Sequence, residues 1–204
     1  MVKYTRKLIR GIQDNSFSEE RWERADSFKA NWQLRSDQMA SLLVNKSPDL
    51  KTISVFGSGP HHFMEKALSA HSPEVRILSY DLRSWDASTE ALNLGTADLD
   101  ALPDSDCAIF PGVLEYVAIE HVIASAMSKF PAVMFSYAFV DMAINSERAL
   151  VKTCMKRIRA GWRSHRSIPY LIDLVSSHGY MIDIHLPRTF RNQVYILAAS
   201  HNWR

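Results

Sequence analysis

The sequence predicts an α/β fold: a mostly parallel sheet with helices on both faces, a C-terminal antiparallel β-hairpin and an N-terminal helical extension. Three observations carry that prediction. From residue 51 onward, short apolar β-type runs alternate with helical stretches, the texture of strand–helix–strand crossovers. The last two β-type runs, YMIDIHL (180–186) and NQVYILAAS (192–200), are separated only by Pro187-Arg188-Thr189-Phe190-Arg191. That spacer is too short for a helical crossover, so the two runs either pair antiparallel or are not neighbours. A helical segment precedes them all, dividing a single domain (1–204) into a helical cap (1–48) and an α/β core (49–204).

Each element follows from local pattern. Residues 17–45 contain neither Gly nor Pro, and Phe17, Trp22, Phe28, Trp32 and Met39 recur at loosely helical intervals. This predicts one or two helices ending near Lys46-Ser47-Pro48. KTISVF (51–56) is a strand and FMEKALSA (63–70) a helix; VRILSY (75–80) is a second strand, delivering the chain to Asp81. DCAIFPGVL (106–114) is another strand, with EYVAIEHVIASAMSKF (115–130) helical behind it, and PAVMFSYAFV (131–140) a further one. SERALVKTCMKRIRAG (146–161) is a basic helix that Gly161 stops. IPYLIDLVSSHG (168–179) is a helix with Pro169 in its first turn and Gly179 at its end.

Composition narrows the function. A chain of 204 residues has room for a substantial core, and 47% hydrophobic with 23% charged residues is ordinary globular usage. A net charge of +2, from 24 basic and 22 acidic residues, offers no general attraction for nucleic acid. The basic run Arg148, Lys152, Lys156, Arg157, Arg159, Arg163 and Arg166 reads first as a solvated helix face and second as a site for an anionic substrate such as a phosphorylated or acidic sugar. Cys107 and Cys154 make no disulfide framework, which fits a reducing, cytoplasmic setting. The N-terminal MVKYTRKLIRGIQDN lacks the apolar region of a signal peptide, and no apolar run approaches a membrane span. The oligomeric state is left open.

In an open α/β sheet, ligands collect at the carboxyl ends of the strands. Four segments fall there. Gly57-Ser58-Gly59 lets the backbone bend sharply and approach a ligand with no Cβ in the way. Asp81, followed by Leu82, is placed to accept hydrogen bonds from both hydroxyls of a ribose. In TADLDALP (96–103), Asp98 can accept from an adenine amino group while Leu99 packs on the ring. In FPGVLEYV (110–117), Gly112 again brings backbone close to a ligand. The bland readings are a plain turn for the glycines, an N-cap for a helix starting near Trp85 in the case of Asp81, and a solvated acidic loop for Asp98.

Taken in order, these segments resemble the class I (Rossmann-like) S-adenosylmethionine-dependent methyltransferases, over roughly residues 50–200. In that family a glycine loop follows strand one, an acid ends strand two, and an Asp-hydrophobic pair lies between strands three and four. DSDCAIFPGVLEYV looks like the family's fourth-strand region, and GWRSHRSIPYLIDLVSSHGY like the helix before strand six. The resemblance implies a seven-stranded sheet closed by a hairpin of strands six and seven. It also implies S-adenosyl-L-methionine as cofactor, held by Gly57, Ser58, Gly59, His61, Asp81, Leu82, Asp98, Leu99 and Gly112. Two positions depart from the pattern Asp-x-Gly-x-Gly-x-Gly: Val55 stands in place of the acid and His61 in place of the third glycine. The first removes a polar contact that commonly braces the loop or the methionine amino group; the second adds bulk where the cofactor passes.

A hydroxyl acceptor needs a base. His165, in the loop GWRSHRS, is the first candidate, since histidine is the usual general base near neutral pH. Glu115 is the second; equally it can be an acid favouring a helix N-terminus. His61-His62 invites a metal, but a zinc site needs three or four ligands at defined spacing, and no HExxH occurs, so no metal is expected. The Asn/Asp-Pro-Pro-Tyr/Phe signature of many nitrogen-directed enzymes is missing after strand four. That tilts the reading toward methylation of oxygen, or of carbon, on a small molecule or glycan. Two other classes compete. A nicotinamide oxidoreductase would want a glycine where Met64 sits and a Tyr-x-x-x-Lys dyad, which is absent. A non-catalytic binding or scaffold protein on the same fold would tolerate Val55 and His61.

Overall fold

In the computed structural model, which describes residues 29–140, 147–190 and 192–203, the alternating texture resolves into seven strands. They are β1 (Thr52–Phe56), β2 (Arg76–Asp81), β3 (Thr89–Ala91), β4 (Cys107–Pro111), β5 (Ala132–Ala138), β6 (Met181–His185) and β7 (Gln193–Ala199). Among the described residues the helices are α1 (Lys29–Lys46), α2 (Phe63–His71), α3 (Ile119–Lys129), α4 (Glu147–Arg159) and α5 (Ile168–Ser176). Of the predicted cap, Phe17, Trp22 and Phe28 lie outside the described residues.

The strands form one sheet of order β3-β2-β1-β4-β5-β7-β6. β1 to β5 run parallel, and β7 lies antiparallel between β5 and β6, so the short Pro187–Arg191 spacer does make a hairpin. The central strands β1 and β4 are buried almost end to end, as strands covered on both faces must be. Alternation of side chains then fills two cores. On one face Phe56 stacks on Tyr80 (centroids 5.1 Å apart) and Phe110 (4.8 Å), beneath α3 and α5. On the other, Ile53, Val55, Ile109 and Met134 meet α1 and α2. α1 faces this core through Ser36, Met39, Ala40 and Leu43, positions three and four apart on one stripe.

Three expectations are corrected. The sequence pattern held no counterpart for β3, because it is a three-residue edge strand following the polar stretch Ser84–Ser88. No helix begins near Trp85 to be capped by Asp81; residues 82–88 form bends and turns, held by the Asp86 carboxylate accepting from the Ser88 N–H (2.8 Å) and hydroxyl (2.7 Å). So short a crossover suffices because β3 pairs only with the last residues of β2, Ser79 to Asp81. The stretch expected to be helical from residue 115 starts instead with a 3₁₀ turn (Leu114–Tyr116), and α3 begins at Ile119. No described helix is long and apolar enough to cross a membrane.

Candidate functional site

The carboxyl ends of β1, β2 and β4 meet around a glycine loop. Gly57 has φ +87°, and a Cβ on it would lie 2.9 Å from the Cβ of Val113, so a side chain here collides with the loop after β4. The loop leans toward β2: the N–H groups of Gly57 and Ser58 both donate to the Tyr80 carbonyl (2.7 and 3.3 Å). Gly59 (φ +64°) then donates its N–H to Asp81 Oδ2 at 2.7 Å. Asp81 is only 3% exposed, and burial pushes its carboxyl above the ordinary range although the Gly59 N–H pulls the other way.

Two cavities open from this loop. The larger, about 490 Å³, is lined by Gly57 to His61, Gly112, Glu115, Tyr116 and, from elsewhere in the chain, Arg35, Trp162 and Phe190. The smaller, about 40 Å³, shares Gly57, Val113 and Tyr116 with it and is lined further by Asp81, Leu82, Leu92, Asn93 and Leu94. Gly57, Ser58, Gly59, His61, Gly112 and Glu115 therefore stand together on one cleft, and Asp81 with Leu82 stands on its side chamber.

Asp98 and Leu99 line neither cavity. Asp98 caps the short turn Leu99–Ala101 by accepting from the Asp100 N–H (3.1 Å), and Leu99 is buried in the core under α3. Leu92-Asn93-Leu94, directly after β3, line the smaller cavity. His165 is likewise apart. It lines a separate groove of about 520 Å³ between α4 and α5, with Val140, Leu150, Cys154 and Tyr170. Burial first, and then the Arg157 cation, push its pKa below the ordinary histidine value. The chain is turned there by neighbours on either side, the Ser164 hydroxyl and the Arg166 N–H both meeting the Tyr137 hydroxyl (3.1 and 3.2 Å).

Glu115 is the acid that does face the cleft. It is 3% exposed, held by the turn after β4; its carbonyl accepts from the N–H groups of Arg163 and Ser164 (2.7 and 3.0 Å). Its Oε1 accepts from the Ala138 N–H at 2.9 Å, while Oε2 is buried with no partner among the described residues. Burial pushes the carboxyl above its usual range, opposed by the Ala138 N–H and the cations of Arg35 and Arg157. Trp162 closes one wall by donating its indole N–H to the Tyr116 hydroxyl (3.0 Å), with the Arg157 guanidinium over its ring. His61 stands at the mouth against Phe63, rings 5.2 Å apart. His62 (φ +50°) turns away to Asp86 (3.1 Å), and no group of three or more metal-ligating side chains occurs among the described residues.

The site suits S-adenosylmethionine in its parts. Gly59 has open space where a side chain would stand, Gly57 and Gly112 pack their bare Cα against Val113 and Arg35, and Asp81 offers a buried carboxylate beside the side chamber. At about 40 Å³ that chamber holds only a few water molecules.

This strand order, with the glycine loop after β1 and β7 inserted antiparallel between β5 and β6, is the class I S-adenosylmethionine-dependent methyltransferase fold. Solved structures sharing it include methyltransferases. An O-methyltransferase family protein from Burkholderia thailandensis superposes with a TM-score of 0.67 at 12% identity, over 90% of this chain and 62% of its own. Human N-acetylserotonin methyltransferase, solved with S-adenosylmethionine, gives 0.63 at 16% over 90% and 56%. The mitomycin 7-O-methyltransferase MmcR gives 0.64 at 14% over 95% and 60%. This chain thus spans less than two thirds of their length. No protein-family model matches the sequence, and no curated protein does.

Proposed function

We propose that the protein transfers the methyl group of S-adenosyl-L-methionine to an oxygen of a small-molecule or glycan acceptor, with Glu115 as general base. The observation that carries this is the buried Glu115 carboxyl with one unpartnered oxygen, on the same cleft as the glycine loop and Gly112. The bound cofactor supplies a methyl carbon already made electrophilic by its sulfonium. The chain has to hold the acceptor in line with that carbon, a task of positioning. Asp81 accepts from the ribose hydroxyls, and Gly59, open where a side chain would stand, lets backbone approach. The indole of Trp162, fixed by Tyr116, shapes the acceptor side. Glu115 takes the hydroxyl proton on Oε2 while the Ala138 N–H steadies Oε1; its raised pKa makes it a stronger base than a solvated carboxylate. Structural neighbours named as O-methyltransferases support oxygen as the acceptor atom.

Calorimetric titration with S-adenosylhomocysteine tests the reading. Binding of about −8 kcal/mol, a micromolar Kd, is expected for the wild type. Asp81→Ala should weaken it by about ten- to a hundredfold, the value of hydrogen bonds to a charged group. No binding by the wild type at millimolar ligand would sink the proposal. It would leave the second reading, a non-catalytic binding or scaffold protein, which is favoured by the fully buried Val55 in place of the family's acid and by the small side chamber.

A further inference from the structure

β6 ends the sheet, and among the described residues no strand pairs with its outer edge. Proteins usually blunt such an edge with charge, proline or a covering segment. Here three of the seven large hydrophobic side chains exposed among the described residues belong to this strand and the residue after it: Met181 (48%), Ile184 (39%) and Leu186 (57%). Pairing with β7 sorts the strand into two faces. Ile182 and Ile184 lie opposite Ala198 and Ile196, on the α5 face; Asp183 and His185 lie opposite Leu197 and Tyr195, on the α1 face. On that second face Asp183 Oδ2 meets the Lys46 ammonium of α1 (2.8 Å), and the His185 ring stacks on Tyr195 with centroids 5.9 Å apart.

A second copy of the same strand, antiparallel across a two-fold axis, satisfies this edge, and the side chains choose the register. Directly opposed residues of a sheet share a face, so the axis passes through a residue. With the axis at Asp183, two carboxylates stand opposite each other and repel. With the axis at Ile182, Asp183 falls opposite Met181 and the His185 imidazole has no acid across from it. With the axis at His185, two imidazoles meet and Asp183 falls opposite a proline. With the axis at Ile184, each Asp183 falls opposite the partner's His185. On the other face Ile184 then meets its own copy and Ile182 meets the partner's Leu186, closing the apolar stripe.

We propose that β6 is a docking edge for a second copy of this chain, pairing antiparallel about Ile184 to continue the sheet through a two-fold dimer, with Asp183 against the partner's His185. An imidazole donates a ring N–H to a carboxylate whether or not it is protonated, and Asp183 Oδ1 lies outside the pair with Lys46. A two-fold contact uses the same edge on both copies and closes there. The other edge of the sheet, β3, is three residues long with Glu90 exposed, and matches neither the length nor the apolar stripe of β6. β6 runs directly into the turn that carries Phe190 to the cleft, so pairing restrains a segment of the cleft wall.

Sedimentation equilibrium of the full chain, from micromolar to millimolar concentration and without cofactor, tests this. The wild type should show a monomer–dimer equilibrium and no larger species. Ile184→Lys sets two ammonium groups against each other on the axis and should weaken the dimer by about a hundredfold or more. Asp183→His and His185→Asp each place like groups opposite one another, twice per dimer, and each should weaken it about three- to thirtyfold. The exchanged double variant, Asp183→His with His185→Asp, restores both pairs and should recover most of the wild-type affinity. A wild type that stays monomeric overturns the proposal, as does a dimer indifferent to Ile184→Lys. Species growing beyond the dimer would mean that β6 pairs with β3 of the next copy, and overturn it too. A double variant as weak as the single ones overturns the pairing about Ile184. Thermal unfolding identifies an Ile184→Lys chain that fails to fold. In that event Leu186→Lys, at an exposed residue beyond the strand, decides: loss of the dimer supports the docking edge, and an unchanged dimer overturns it.

Discussion

The two sides of the cleft are built by different means. Over β1 and β2 the site is backbone: Gly57, Ser58 and Gly59 follow one strand, Asp81 ends the next, and hydrogen bonds of 2.7 to 3.3 Å lock loop to strand. Over β4 and β5 the site is side chains drawn from distant segments, Arg35 from α1, Glu115 from a 3₁₀ turn, Trp162 from the connection before α5 and Phe190 from the hairpin turn. The first side depends on conformations that glycine alone adopts easily, so it leaves a mark in sequence. The second depends on which helices pack where, and its residues carry no common spacing.

The largest expected effect lies on the side-chain half. Glu115→Gln should cut methyl transfer by about 10²- to 10⁴-fold in kcat, the usual worth of a general base. Binding of S-adenosylhomocysteine by the same variant should not change. A variant that loses cofactor affinity and activity together would make Glu115 a brace for both sides of the cleft and erase the distinction between them.

The same substitution gives a signature in stability. Burial holds the Glu115 carboxyl above its ordinary range in the folded state. Between the ordinary glutamate value and that raised one, the folded chain keeps a proton that the unfolded chain has released. Wild-type stability from this group is therefore complete below the ordinary value and is lost as pH rises through the folded one. Glu115→Gln has no such loss. Its Tm relative to wild type should climb with pH through that window and be flat below it; a difference constant with pH would show that the carboxyl is not held neutral by burial.

The smallest effect sharpens the boundary of the site. His165→Asn should leave both cofactor affinity and kcat within about twofold, the scale of substitutions away from any special feature, because the imidazole lines the α4–α5 groove and not the cleft. A loss of activity comparable with that of Glu115→Gln would return His165 to the role of base and move the acceptor to the other side of residues 162–166.

Much of the frame was legible from residue pattern: the buried β1 and β4 runs, the hairpin forced by a short spacer, and the glycine loop set against the acid after β2. What escaped had physical causes. β3 is three residues long on a sheet edge, with Glu90 and Ala91 exposed, and carries no apolar signal of its own. Asp98-Leu99 does lie between β3 and β4, while Leu92–Leu94, directly after β3, lines the side chamber. The acid at 98 has a sufficient local use, capping its own turn.

Local pattern along the chain is enough for the outline of the sheet and for the positions where backbone must bend, because alternation, glycine and a short spacer all act through near neighbours. The choice between Glu115 and His165, and the meeting of Arg35 with Gly112, came only from the folded chain. Each of those side chains is aimed by contacts with segments far away in sequence. Glu115 meets the Ala138 N–H and the backbone of Arg163 and Ser164, and Arg35 meets the Pro111 carbonyl. The direction of a side chain in a turn follows from such partners, which no local pattern encodes.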